Sequence, residues 1–199
     1  MDTTDRAPMV EPLDEHIDHV RGEADASVIL EYGDYECPYS RQAFRAIEQV
    51  ERQLSSRVRF AFRHFPLTQI HPHALAAASA AEAAGRQERF WEMHGLLFHR
   101  QKALEDDDLR SYANELGLDL ARFDRDRADA EVLARIARDV TSGEASGVVR
   151  GTPTLFIDGV LYQGGYDPAA FIEALATGGN TGSSSTLVEE SINLEERDR

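Results

Sequence analysis

A single cysteine, Cys37, in 199 residues excludes an intramolecular structural disulfide. Lysine is almost as scarce: of 21 basic residues only Lys102 is one, and arginine supplies the rest. There is no apolar run long enough to span a bilayer. Between Met1 and Val10 no basic region leads into an apolar one, so a secretory leader is not expected. Together with the lone thiol, this leads us to expect a soluble protein in a reducing, cytoplasmic compartment. Positive charge is also short, with a formal net charge of -15 and an isoelectric point near 4.8. A field of that sign repels phosphate backbones and anionic membrane surfaces, which argues against nucleic-acid and membrane partners. The acid excess runs along the whole chain, consistent with a solvated surface and with a high-salt or high-GC host.

The 42% hydrophobic content suffices for one sizeable core, and a second domain is not expected. Residues 1–20 are polar and read as an extended or mobile segment. The first clear element is the short apolar run from Ser27 to Gly33, read as a buried strand. Ala43, Phe44, Ile47, Val50 and Leu54 then recur at helical spacing, with Pro38 where a first helical residue belongs. Val58, Phe60 and Phe62 alternate with Arg59, Ala61 and Arg63, the period of a strand. The order so far is strand, helix, strand.

From about 71 to 143 the sequence reads as a helical insertion. An alanine-dense helix from Ala74 to Ala84 stops at Gly85, an aromatic-rich one covers Phe90 to Phe98, and two or three more follow. Thr154 to Ile157, the turn Asp158-Gly159 and Val160 to Tyr162 form a hairpin signature, since Asp-Gly readily takes the positive φ angles of a tight turn. Asp167 as N-cap and Pro168 at the first helical position open a terminal helix carrying Phe171, Ile172 and Leu175. Residues 178–199 are Gly-, Ser- and Thr-rich and then acidic, a composition expected to be disordered.

A cysteine between a strand and a helix, with proline next, places its sulfur at the helix N-terminus, where unpaired N–H groups favour an anion. Such placement can make an ordinary cysteine a nucleophile. The segment Glu31-Tyr32-Gly33-Asp34-Tyr35-Glu36-Cys37-Pro38-Tyr39-Ser40, the helical insertion, and Gly151-Thr152-Pro153-Thr154-Leu155-Phe156-Ile157-Asp158-Gly159 resemble the DsbA-like thioredoxin-fold family over roughly residues 12–177. Pro153 follows Cys37 by 116 residues, too far for a plain thioredoxin. The resemblance implies an α/β thioredoxin fold with the helical domain inserted between its two halves.

It also implies roles. Cys37 would be the attacking thiol, and Glu31, six residues earlier, a buried acid assisting proton transfer. Thr152 and Pro153 would form a cis-proline loop that offers its backbone to an extended substrate, with Pro38 and Tyr39 beside it. Arg150, just before that loop, is a candidate for electrostatic support of a thiolate. The chain departs from the family at Ser40, which replaces the second thiol of Cys-x-x-Cys and can hydrogen-bond a thiolate but cannot be oxidised. The expected activity is therefore exchange, reduction or isomerisation through one thiol, with an external thiol resolving the mixed disulfide. No resident cofactor is expected, though a small thiol such as glutathione could serve as co-substrate, and the substrate would be a disulfide-bearing protein or small thiol.

Alternatives of other classes stand beside this one. A thioredoxin-like module could bind extended peptides with Cys37 as a vestige, or a kappa-type glutathione transferase could recruit Ser40. Peroxiredoxin chemistry is disfavoured because Leu30 and Asp34 stand where its motif needs Pro and Thr. His71 and His73 give no zinc-ligand spacing and read as helix-cap or surface groups. Asp34 and Glu36 read as solvated loop charges, and Phe90, Trp91, Met93 and His94 as packing beneath the insertion.

Overall fold

The structure, a computed structural model, describes residues 10–179. The polar extreme N-terminus and the acidic tail from residue 180 onward lie outside the described residues.

Among the described residues, one five-stranded sheet has the order β1-β3-β2-β4-β5. Its centre is β2 (Ser27–Gly33) and β3 (Val58–His64), parallel from Ser27 beside Val58 to Gly33 beside His64. Parallel neighbours need a crossover, and α1 (Pro38–Leu54) provides it. Helix α1 buries Ala43, Phe44, Ile47 and Val50 on one face, as their three- and four-residue spacing requires. β4 (Thr154–Ile157) adds antiparallel to β2, and β5 (Val160–Tyr162) closes a hairpin on β4 through Asp158 and Gly159, both at positive φ. α7 (Pro168–Ala176) follows, its first turn capped by the Asp167 carboxylate accepting from Ala170 N, and packs beside α1.

Five helices fill the space between β3 and β4: α2 (Ala74–Gly85), α3 (Phe90–His99), α4 (Asp106–Glu115), α5 (Leu120–Arg127) and α6 (Ala130–Ala145). The alanine density of α2 now has a cause. Ala77, Ala80, Ala81, Ala83 and Ala84 are wholly buried, because α2 is the central helix of the insertion and contacts α3, α4, α5 and α6. Short side chains let four neighbours approach one helix.

Within the described part of the N-terminal segment, His19–Arg21 form a strand, β1, antiparallel to β3, and Asp18 is buried. Six of the seven residues of β3 are buried, Arg63 among them. Arg63 donates from Nε and Nη2 to the two Asp18 carboxylate oxygens at 3.0 and 2.8 Å, and further to Tyr32 Oη and the Glu11 and Pro12 carbonyls. A charge fits inside because five hydrogen bonds replace its water.

Candidate active site

The site sits at the carboxyl ends of β2 and β3, where α1 begins. Cys37 is the N-cap residue of α1 and Pro38 its first helical residue, a place where proline forfeits no hydrogen bond. The cysteine is 4% exposed. Its thiol donates to the Thr152 carbonyl at 3.1 Å, and the Thr152–Pro153 peptide bond is cis. Residues 115 positions apart thus meet at one sulfur. A protonated sulfur makes this contact, and a thiolate or a disulfide sulfur cannot, so reaction at Cys37 releases the Thr152 carbonyl.

Ser40 is wholly buried on the first turn of α1, and its hydroxyl accepts from Asp34 N at 3.3 Å. Glu31, mid-strand in β2, is also wholly buried, and among the described residues neither carboxylate oxygen has a hydrogen-bond partner. Burial pushes its carboxyl up to about 8, tempered by the neighbouring Ser40 hydroxyl. No hydrogen bond of ordinary geometry joins the two; Ser40 acts through proximity. The carboxyl needs the bare backbone of Gly33, where a Cβ would strike the Phe62 ring and lie 2.8 Å from Glu31 Oε1. Pro38 and Tyr39 face solvent, Tyr39 at 59%, while Thr152 and Pro153 are half-buried. Tyr166, in the loop before α7, lies near enough for the charges of Glu31, Cys37 and Tyr39 to add to the burial that raises its hydroxyl.

Arg150 is exposed and donates to the Gly147 carbonyl at 3.4 Å, turned onto its own loop. Asp34 and Glu36 are not solvated charges. Asp34 is 1% exposed and accepts from Glu36 N, Leu67 N and His71 Nδ1, each at 2.8 Å. Glu36 accepts from His73 N at 2.7 Å. His71, read from sequence as a cap or surface group, instead ties the loop before α2 to the cysteine turn. Sequence reasoning missed Gln101 altogether: its amide donates to the carbonyls of Tyr35 at 2.7 Å and Cys37 at 2.8 Å. The chain between β3 and β4 therefore holds the reactive turn from two sides, by its carbonyls through Gln101 and by the Asp34 and Glu36 carboxylates through the segment before α2.

Beneath the turn, Tyr35 Oη and His94 Nδ1 are hydrogen-bonded at 3.0 Å, both groups buried. Burial drives the tyrosine hydroxyl up and the imidazole down, so both stay neutral, and His94, Phe90 and Met93 are core as expected. The sequence offered no metal-ligand spacing, yet among the described residues His19, His64 and Glu82 bring three donor atoms within 4.8 Å of one another.

A cysteine on the first turn of a helix, a cis-proline loop against its sulfur and a helical domain inserted between β3 and β4 define a thioredoxin-like fold of the DsbA form. The family described as Thioredoxin matches residues 14–176, and the chain belongs to it. A thioredoxin-like oxidoreductase from Silicibacter pomeroyi DSS-3 superposes with a TM-score of 0.71 at 26% identity, over 80% of this chain and 91% of that one. The thiol-disulfide exchange protein alpha-DsbA2 from Wolbachia pipientis shares the fold with a TM-score of 0.72 at 19% identity, over 82% and 88%. The Na(+)/H(+) antiporter NhaA 1 of Salinispora arenicola is 47% identical over 166 residues, which are 83% of this chain and 24% of that protein. The chain thus spans about a quarter of the length of the curated relatives it matches.

Proposed function

We propose that this chain is a thiol-disulfide exchange protein working through the single thiol of Cys37. The observation that carries the reading is the 3.1 Å approach of that thiol to the carbonyl preceding a cis-proline, at the N-terminus of α1. In the first step the Cys37 sulfur, having given up its proton, attacks one sulfur of a substrate disulfide; a Cys37 mixed disulfide forms and the other sulfur leaves as a thiolate. In the second, an external thiolate attacks the bonded substrate sulfur and restores Cys37. A small thiol such as glutathione fits this step, because Ser40 supplies no second sulfur. Electrons pass only between the two thiol-disulfide pairs, and no resident cofactor takes part.

Glu31, held near 8, has the proton affinity to accept the Cys37 proton and return it to a leaving thiolate. The freed Thr152 carbonyl would accept a backbone N–H of an extended substrate, with Tyr39 on the rim. The reading includes a cytoplasmic location, supported by a lone cysteine that forms no internal disulfide. The net charge of -15 speaks against nucleic-acid partners.

The test is to trap mixed disulfides from cell extract and identify the partners by mass spectrometry, with Cys37→Ala as control. Adducts on the native chain that vanish in the control support the reading. A thiol that captures neither protein nor glutathione sinks it and favours a peptide-binding module. The antiporter relatives favour one specific partner. No helix among the described residues is long and apolar enough to cross a membrane. From the antiporter relatives we propose that this chain is a redox module that serves ion transport. Co-purification with an antiporter checks that pairing.

A further inference from the structure

Away from the thiol, three sequence-distant residues converge on one point. His19 comes from β1, His64 from the end of β3 and Glu82 from α2. Both imidazole Nε2 atoms reach the same oxygen, Glu82 Oε1, at 2.7 and 2.8 Å. The rings are fixed in place. His19 stacks on Phe90 with centroids 3.4 Å apart, and the backbone N–H of His64 donates to Asp139 Oδ2 at 3.0 Å. The cluster is not sealed, for the His19 side chain is 20% exposed.

We infer that His19, His64 and Glu82 form a binding site for a divalent transition ion of the zinc class. Two imidazole nitrogens and one carboxylate oxygen are the donor set such an ion prefers, with the exposed side left for water. Calcium and magnesium, which take oxygen ligands, do not fit. On binding, two N–H···O hydrogen bonds give way to two N–metal bonds and one O–metal bond. Each ring keeps one proton, moved to Nδ1, and nothing is oxidised or reduced. The donor atoms must part from 2.7 and 2.8 Å to about 3.3 Å, the spacing of tetrahedral ligands each about 2 Å from the ion. Half-buried His19, the more accessible of the two rings, makes the larger part of that movement by sliding on the Phe90 ring.

Two neighbours limit the affinity. Arg135 Nε lies 3.8 Å from Glu82 Oε1 and repels a cation, though the Asp139 carboxylate holds the same guanidinium at 3.0 Å. Among the described residues His64 Nδ1 is buried without a partner, so its proton gains no acceptor there, and an incomplete outer shell of this kind weakens metal binding by about 10–100-fold.

The experiment titrates the full chain, stripped with chelator, with Zn2+ alone in a calorimeter, on the native protein and on Cys37→Ala, which removes the thiol as a competing ligand. One ion per chain in both, weakened at least tenfold by His19→Ala, is the expected result. Glu82→Gln, nearly isosteric, guards against a folding artefact, and Co2+ should give the strong visible bands of a four-coordinate site. No saturable binding, binding that disappears with Cys37, or binding indifferent to both His19→Ala and Glu82→Gln overturns the site.

Discussion

A carboxyl with neither water nor a hydrogen-bond donor is most stable neutral, and Glu31 is in that position. Its folded pKa of about 8 lies above the ordinary 4.5. The stabilising protonated form is therefore fully available below pH 4.5 and lost as pH rises through 8. Between those limits Glu31 should lower stability by up to about 1.4 kcal/mol per pH unit. Urea denaturation at several pH values should show this fall, and Glu31→Gln, neutral throughout, should flatten it. An unchanged slope in the variant means that the group titrates normally. If Glu31 also moves the thiol proton, the same variant slows exchange while still forming mixed disulfides. At this scale the sequence was readable where function lies in a short window: Cys37, Ser40 and Glu31 sit within ten residues of one another. It was unreadable where the partner is distant. Nothing near Asp34 announces His71, 37 positions away, and nothing near Gln101 announces Cys37, 64 positions away.

Elements were legible in proportion to their length and periodicity. α1, with 17 residues and a continuous apolar face, and the Asp158-Gly159 hairpin were read from residue pattern alone. β1, three residues holding a histidine and an arginine, carries no such pattern and exists because β3 offers it an edge. The insertion acts on the site as a clasp, with Gln101 from the α3–α4 connection on one side and the segment before α2 on the other. Gln101→Ala would leave the Tyr35 carbonyl without this donor and the Cys37 carbonyl with the Arg41 N–H alone, a loss of about 1–3 kcal/mol. Hydrogen exchange should quicken at residues 35–41 while the far end of α1 keeps its protection; uniform change along the helix means that Gln101 does not hold the turn. Ser40→Cys tests the element's chemistry. With a second thiol on the same helical turn, the oxidised protein should weigh two hydrogens less, and the mixed disulfide should cease to accumulate because it is resolved internally. Persistent adducts in that variant mean that position 40 cannot reach the sulfur of Cys37.

Across the whole molecule, buried charge reinforces the apolar joint between the N-terminal segment, the sheet and the insertion. Arg63 in β3 holds Asp18 and the carbonyls of Glu11 and Pro12, so the segment before β1 is anchored to the sheet. Arg138 on α6 reaches Asp18 at 2.9 Å and Asp139 at 2.8 Å, which links that segment to the insertion. Arg63 pulls the Asp18 carboxyl down against the burial that would raise it, so this contribution is present above pH 3.8 and lost as pH falls through the lowered value. Removing one partner alone strands the other. Arg63→Ala should cost about 3–5 kcal/mol by leaving a buried carboxylate with a single remaining guanidinium. Limited proteolysis should then cut between residues 10 and 18 faster than it cuts the native chain. Replacing both charges, as in Arg63→Met with Asp18→Leu, removes the stranded ion, so the double variant should be more stable than Arg63→Ala. Denaturation of the two singles and the double closes the cycle. Strict additivity would mean that the segment is held by its carbonyl contacts and by Val10 and Leu13 against the sheet, and that the ion pair contributes no coupling.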